Sequence, residues 1–172
     1  MLDKILDVQI ENYRESLKLT QRAVFFGLLI AGISYSLAYI GKGDKLPKVP
    51  FLSIEFTSLV SLQVTLLVLY LASGFLSWFA INNAYKNLNS IQNIELAIAT
   101  SKYPCLAVTN PWFGSLLAGA LLGIGAMLLG SIYEFTNNYQ KSLYFIAALP
   151  YWSTLRVGGM INSWNKSIKN RE

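Results

Sequence analysis

Residues 56–85 read FTSLVSLQVTLLVLYLASGFLSWFAINNAY, thirty positions without a charge. A helix needs about 20 predominantly apolar residues to cross the roughly 30 Å of bilayer hydrocarbon. The run therefore predicts a transmembrane helix, with its membrane core at 57–81. Past that core, Leu88, Ile91, Ile94 and Ile98 keep a helical spacing amid Asn and Gln. This predicts that the helix continues into the cytosol for some turns.

Working outward, an apolar run lies on the N-terminal side, Ala23 to Gly41, 19 residues without a charge. It stops at Gly41-Lys42-Gly43-Asp44-Lys45, followed by Pro47 and Pro50, which is a loop signal. On the C-terminal side, Tyr103-Pro104 and Asn110-Pro111 bracket a short loop. Asn110 suits an N-cap and Pro111 a first helical position, so a third span is expected at 112–133. A fourth is expected at 143–161, interrupted by Pro150 and containing Arg156. Ahead of all four, Leu2, Leu6, Ile10, Tyr13 and Leu17 recur on one helical face, and Asp3, Asp7, Glu11, Arg14 and Lys18 repeat that spacing one position later. Acids lead and bases follow, which suits the helix macrodipole and places the bases nearest anionic headgroups.

The expected fold class is all-α: a polytopic membrane protein with four transmembrane helices (23–41, 57–81, 112–133 and 143–161). An N-terminal amphipathic cytosolic helix (1–22) precedes them, 82–111 forms a cytosolic central segment, and 162–172 is a basic cytosolic tail. Composition agrees. The chain is 53% hydrophobic and 13% charged, where soluble domains carry about 25% charged residues. Mean hydropathy is +0.41 and the pI about 9.3. The 14 Lys and Arg exceed the 9 acids, but they flank apolar runs instead of forming a stripe interleaved with aromatics. The partner implied is the lipid bilayer and not nucleic acid.

Orientation follows from the basic residues. Lys4, Arg14, Lys18, Arg22, Lys86, Lys102, Lys166, Lys169 and Arg171 lie on one side of the four spans; Lys42, Lys45, Lys48 and Lys141 lie on the other. Both termini are therefore expected in the cytosol. Of these, Arg14, Lys18, Arg22, Lys166 and Lys169 are candidate contacts for lipid headgroups or a partner. Tyr35, Tyr39, Trp78, Tyr85, Trp112, Tyr133, Tyr144 and Trp164 read as interfacial anchors.

Three spans carry seams of small residues: Gly27, Ala31, Ser34 and Ala38; Ser73, Ser77, Ala80 and Ala84; and Gly119, Gly123, Ala126 and Gly130. Such seams let helix backbones approach closely. They either pack the four helices together or, on the third span above all, pack against another copy of the chain. Arg156 reads either as a snorkelling anchor to lipid phosphate or as a pore charge. Pro150 removes a helical donor and is expected to kink the fourth span. Pro150 and Arg156 are accordingly the candidate pore or gating residues.

Absences narrow the function. The chain has no histidine and a single cysteine, Cys105, which leaves no metal-ligand spacing and implies no cofactor. There is no P-loop, no paired carboxylates and no nucleophile beside a base, so catalysis is not expected. No acid lies within a span, Glu55 and Glu134 being at span ends, which argues against proton-coupled export. Two functions fit. One is a small homo-oligomer that forms or gates a channel or perturbs the membrane; the other is a membrane-anchored sensor or scaffold that recruits a soluble cytosolic protein. In general organisation, a charged leading helix and four short spans resembles the small membrane subunits of prokaryotic defence operons. That likeness implies a bacterial inner membrane.

Overall fold

The structure, a computed structural model, describes residues 2–40, 58–133, 137 and 142–169, with side chains except those of 2–3, 31, 35–40 and 164–169. Among the described residues there are five helices and no strand: α1 (Leu2–Ile40), α2 (Leu59–Ser90), α3 (Ile94–Ser101), α4 (Pro111–Ile132) and α5 (Tyr144–Lys169).

Local chemistry sets most helix ends. Ser58 caps α2, its hydroxyl accepting from the Ser61 amide at 3.2 Å. After Ser90 the backbone turns extended at Ile91, and Asn93 starts α3 by accepting from the Leu96 amide at 3.1 Å. The expected continuation of the second helix is thus interrupted for three residues and resumed by a new cap. Helix α4 begins at Pro111, with Asn110 at its N-cap position as the Asn-Pro pair predicts. The Asn110 carbonyl takes the first bond, from Gly114 at 3.0 Å.

Two helices extend beyond the expected spans. The charged leader and the first apolar run form one uninterrupted helix of 39 residues, about 58 Å long at 1.5 Å per residue. No Pro lies within it, so helical hydrogen bonding continues through the change of composition at Arg22. At the other end, α5 runs past Ile161 to Lys169, and Pro150 sits inside it without ending it.

Helices α1, α2 and α4 are long and apolar enough to cross a membrane. Helix α5 is long enough but less apolar, since Arg156, Asn162 and several Ser, Thr and Gly residues dilute it. Helix α4, with 22 residues, spans about 33 Å, close to the hydrocarbon thickness. Helices α1 and α2 exceed that thickness, and the excess carries a second core.

The first core, among α1, α2, α4 and α5, centres on Val24, Leu66, Tyr70, Leu121, Leu128 and Tyr151. Around it Phe26, Leu29, Val64, Val68, Phe79, Leu116 and Met127 point outward, an apolar girdle of the kind that marks a membrane or protein contact. The second core, here called the head, joins the leading half of α1 to the end of α2, to α3, to the 102–110 segment and to α5. Tyr13, Leu17, Ile81, Leu88, Cys105 and Ile161 fill it. The predicted apolar face of the leader is the buried one: Tyr13 and Leu17 are fully buried, while Asp7, Glu11 and Arg14 are exposed.

Candidate functional site

The centre of the bundle is a polar cluster in an apolar setting. Tyr151 of α5 donates its phenol to the Tyr70 carbonyl at 3.0 Å and also meets the Ser73 hydroxyl. Tyr70 in turn donates to the Leu121 carbonyl of α4, and the two phenol rings lie 4.8 Å apart. One turn further along, the Ser77 and Thr154 hydroxyls are 2.8 Å apart, and Thr154 also bonds the Pro150 carbonyl at 2.9 Å. Among the described residues, no buried side-chain nitrogen or oxygen lacks a partner. Satisfied in this way, the cluster joins α2, α4 and α5 by directional bonds.

Two of the three seams have a determinable side. On α2, Ser73, Ser77, Ala80 and Ala84 are all buried and receive α1 and α5. On α4 the small residues turn the other way. Gly119 and Gly123 are exposed with nothing within 4 Å of where a Cβ would stand, Ala126 is half-buried, and Gly130 meets only the Tyr144 phenol at 3.4 Å. On α1 the two seam members that are described both face inward: Gly27 lies directly beneath the Tyr151 phenol, and Ser34 is buried, bonded to the Ile30 carbonyl at 2.8 Å. The side chains of Ala31 and Ala38 lie outside the described residues.

Pro150 and Arg156 part company. Pro150 is buried against Gly74 of α2. Arg156, six residues on, is exposed and lines a groove of about 310 Å³ between the start of α4 and α5. Gly158 is a packing position: a Cβ there would overlap the Ala107 carbonyl, whereas Gly159 has open space.

In the head, the end of α3 and the 102–110 segment that follows it are held from both sides. The Tyr13 phenol donates to the Ser101 carbonyl at 3.5 Å, the Cys105 thiol to the Leu17 carbonyl at 3.6 Å, and Arg14 lies 5.9 Å above the Tyr103 ring. From α5, the Asn162 amide donates to the Thr109 carbonyl at 2.7 Å. Burial pushes the Tyr13 phenol and the Cys105 thiol above their ordinary titration ranges, so both stay protonated and unreactive. A polar groove of about 430 Å³ runs between α1 and α2, lined by Asn12, Glu15, Ser16, Arg22, Asn83 and Asn87. Beside it Lys18 pairs with Glu15 at 2.6 Å, which raises the lysine and lowers the carboxylate in titration. Lys166 and Lys169 end α5, and their side chains lie outside the described residues.

Neither small-residue spacing nor charge singles out Tyr70 and Tyr151, which form the centre of the bundle. Their signal is available in the sequence: both fall in the middle of expected spans, away from the interfaces where Tyr usually anchors, and a phenol there needs an internal partner. Among the described residues no group of His, Cys, Asp and Glu could hold a metal ion. Compared with known protein families, curated protein sequences and solved structures, the chain matches none.

Proposed function

We propose that this chain is a four-span membrane anchor that presents a folded head on the cytosolic face to a soluble protein partner. One observation carries the reading: α1 and α2 run unbroken out of the apolar girdle into a head with its own core. A chain that only spanned the bilayer would have no use for that second core. The α1–α2 groove offers both charges and several amides, the mixed polar surface a soluble partner's rim residues would meet. The fourth span is supported by Phe145, Ile146, Leu149 and Trp152, which α5 turns outward as the other helices turn their apolar residues. Cytosolic termini follow from the excess of Lys and Arg on that side.

The test is quantitative binding of an isolated partner to the protein in nanodiscs. The triple variant Asn12→Ala, Arg22→Glu, Asn87→Ala leaves both cores untouched and should abolish binding. Full binding by that variant, or stoichiometric purification with no partner and measurable ion flux in liposomes, overturns the reading.

The outward face of α4 favours a second reading, self-association into a channel or membrane-perturbing assembly. Gly119 and Gly123 leave a track that another helix could approach closely. Within one chain the space between the helices is filled by Tyr70, Tyr151 and their neighbours, so a conduction path would run between copies. Gly119→Ile with Gly123→Ile should then dissociate the assembly in detergent and abolish flux, while the monomer keeps its thermal stability.

A further inference from the structure

The groove beside Arg156 does not stand alone. Its lining shares Ala118 and Trp152 with a narrower slot of about 120 Å³ that continues along the α4–α5 seam toward the middle of both helices. The two ends differ in chemistry. Around Arg156 the groove carries Thr109, Ser115, Asn162 and Ser163. The slot is walled by Leu121, Leu122 and Ala148, with Gly119 leaving one side open. A cavity that is cationic and polar at one end and apolar along its length matches one class of molecule, a lipid with an acidic headgroup.

Three further observations specify the occupant. The polar end lies beside Pro111, where α4 begins, and because that helix matches the hydrocarbon thickness, the groove sits at headgroup height. Arg156 pairs with nothing among the described residues, and neither α4 nor α5 contains an acid, so the positive charge is uncompensated. The hydroxyls of Thr109, Ser115 and Ser163 each donate to a backbone carbonyl already, which leaves their oxygens as acceptors. Arg156 is therefore the charged donor for a phosphodiester, which guanidinium binds through paired N–H groups. The hydroxyl oxygens suit a headgroup that brings its own O–H donors.

We propose that this groove and slot hold one anionic phospholipid with a hydroxylated headgroup, of the phosphatidylglycerol type. Arg156 binds its phosphate and one acyl chain lies along the slot. The proposal rests on α5 lying in the membrane.

Native mass spectrometry of the protein with phosphatidylglycerol, phosphatidylcholine or inorganic phosphate tests it. Wild type should retain one phosphatidylglycerol selectively over phosphatidylcholine, and inorganic phosphate should not displace it. Arg156→Gln should lose about tenfold in affinity, the size of one charge-assisted contact, and Arg156→Lys should recover part of it. Ala118→Leu, which narrows the slot, should weaken the lipid while Arg156 is intact. Three outcomes overturn the proposal: equal retention of both lipids with Arg156→Gln unchanged, displacement by inorganic phosphate, or an oligomer without bound lipid, in which a second copy fills the slot. Since Arg156 is exposed, the variants' unchanged melting separates lost binding from lost folding. The premise has its own readout. In a Cys105→Ser background, Ser142→Cys and Ser163→Cys should label from opposite sides of sealed vesicles; labelling from one side sinks the spanning reading whatever the lipid does.

Discussion

Adjacent glycines on α5 show how little a residue's type says about its task. A methyl group on Gly158 would collide with the Ala107 backbone, which cannot swing aside as a side chain can. Gly158→Ala is expected to cost about 1–3 kcal/mol, as overpacking typically does, and to loosen the 102–110 segment from α5. Gly159→Ala meets open space and is expected to be neutral or to stabilise by up to about 1 kcal/mol through helix propensity. Urea unfolding of the two variants in detergent checks the contrast. Cys105 gives a second prediction at this scale. Burial raises its thiol in the folded state, so the folded protein favours the protonated form. That contribution to stability is complete below the unfolded thiol's titration and is lost as pH rises through and beyond it. Maleimide should therefore label Cys105 slowly in the native protein at neutral pH and rapidly after denaturation. Equal rates would place the thiol on the surface.

Helix α1 couples two environments because nothing interrupts it. Its leading half packs in the head through Tyr13 and Leu17, and its trailing half in the girdle through Val24 and Ile30. A proline between them removes a backbone donor and collides with the preceding turn, at about 3 kcal/mol or more. Gln21→Pro should uncouple the halves, and the observable is local: the Leu17 carbonyl that receives both the Gln21 amide and the Cys105 thiol is disturbed, so Cys105 becomes open to maleimide. Unchanged protection with unchanged stability would mean that the halves fold independently. The helix also shows where sequence reading stopped short. Charged leader and apolar run look like two units because composition changes at Arg22, but composition reports the solvent of a helix and not its continuity. Continuity is decided by backbone bonding, which here meets no breaker.

At the scale of the molecule, two cores of similar make-up are held by different forces. Burial of Leu17 in the head removes apolar surface from water, and Leu17→Ala should cost about 2–5 kcal/mol, the usual range for a core truncation. In the girdle, lipid is as apolar as the helix it would replace, so packing and hydrogen bonds do the holding. Tyr70→Phe, which deletes only the bond to the Leu121 carbonyl, should cost about 0.6 kcal/mol and no more than about 1.7. Paired denaturation of these variants in one detergent would reveal the difference, and equal costs would contradict the division into a wet and a dry core. The sequence alone determined the all-helical class, the apolar runs of α1, α2 and α4, the start of α4 at Asn110-Pro111 and the buried face of the leader. Each depends on hydrogen bonding, capping or solvent preference acting within a few residues. Only the tertiary structure decided that the α2 seam faces inward and Gly119 and Gly123 outward, that Tyr151 covers Gly27, and that Arg156 stands in a groove while Pro150 is buried. The small-residue spacing on each helix is the same whichever way it turns. Rotation about the helix axis is fixed by which neighbour's phenol, carbonyl or ring fits the space, and those neighbours are tens of residues away along the chain.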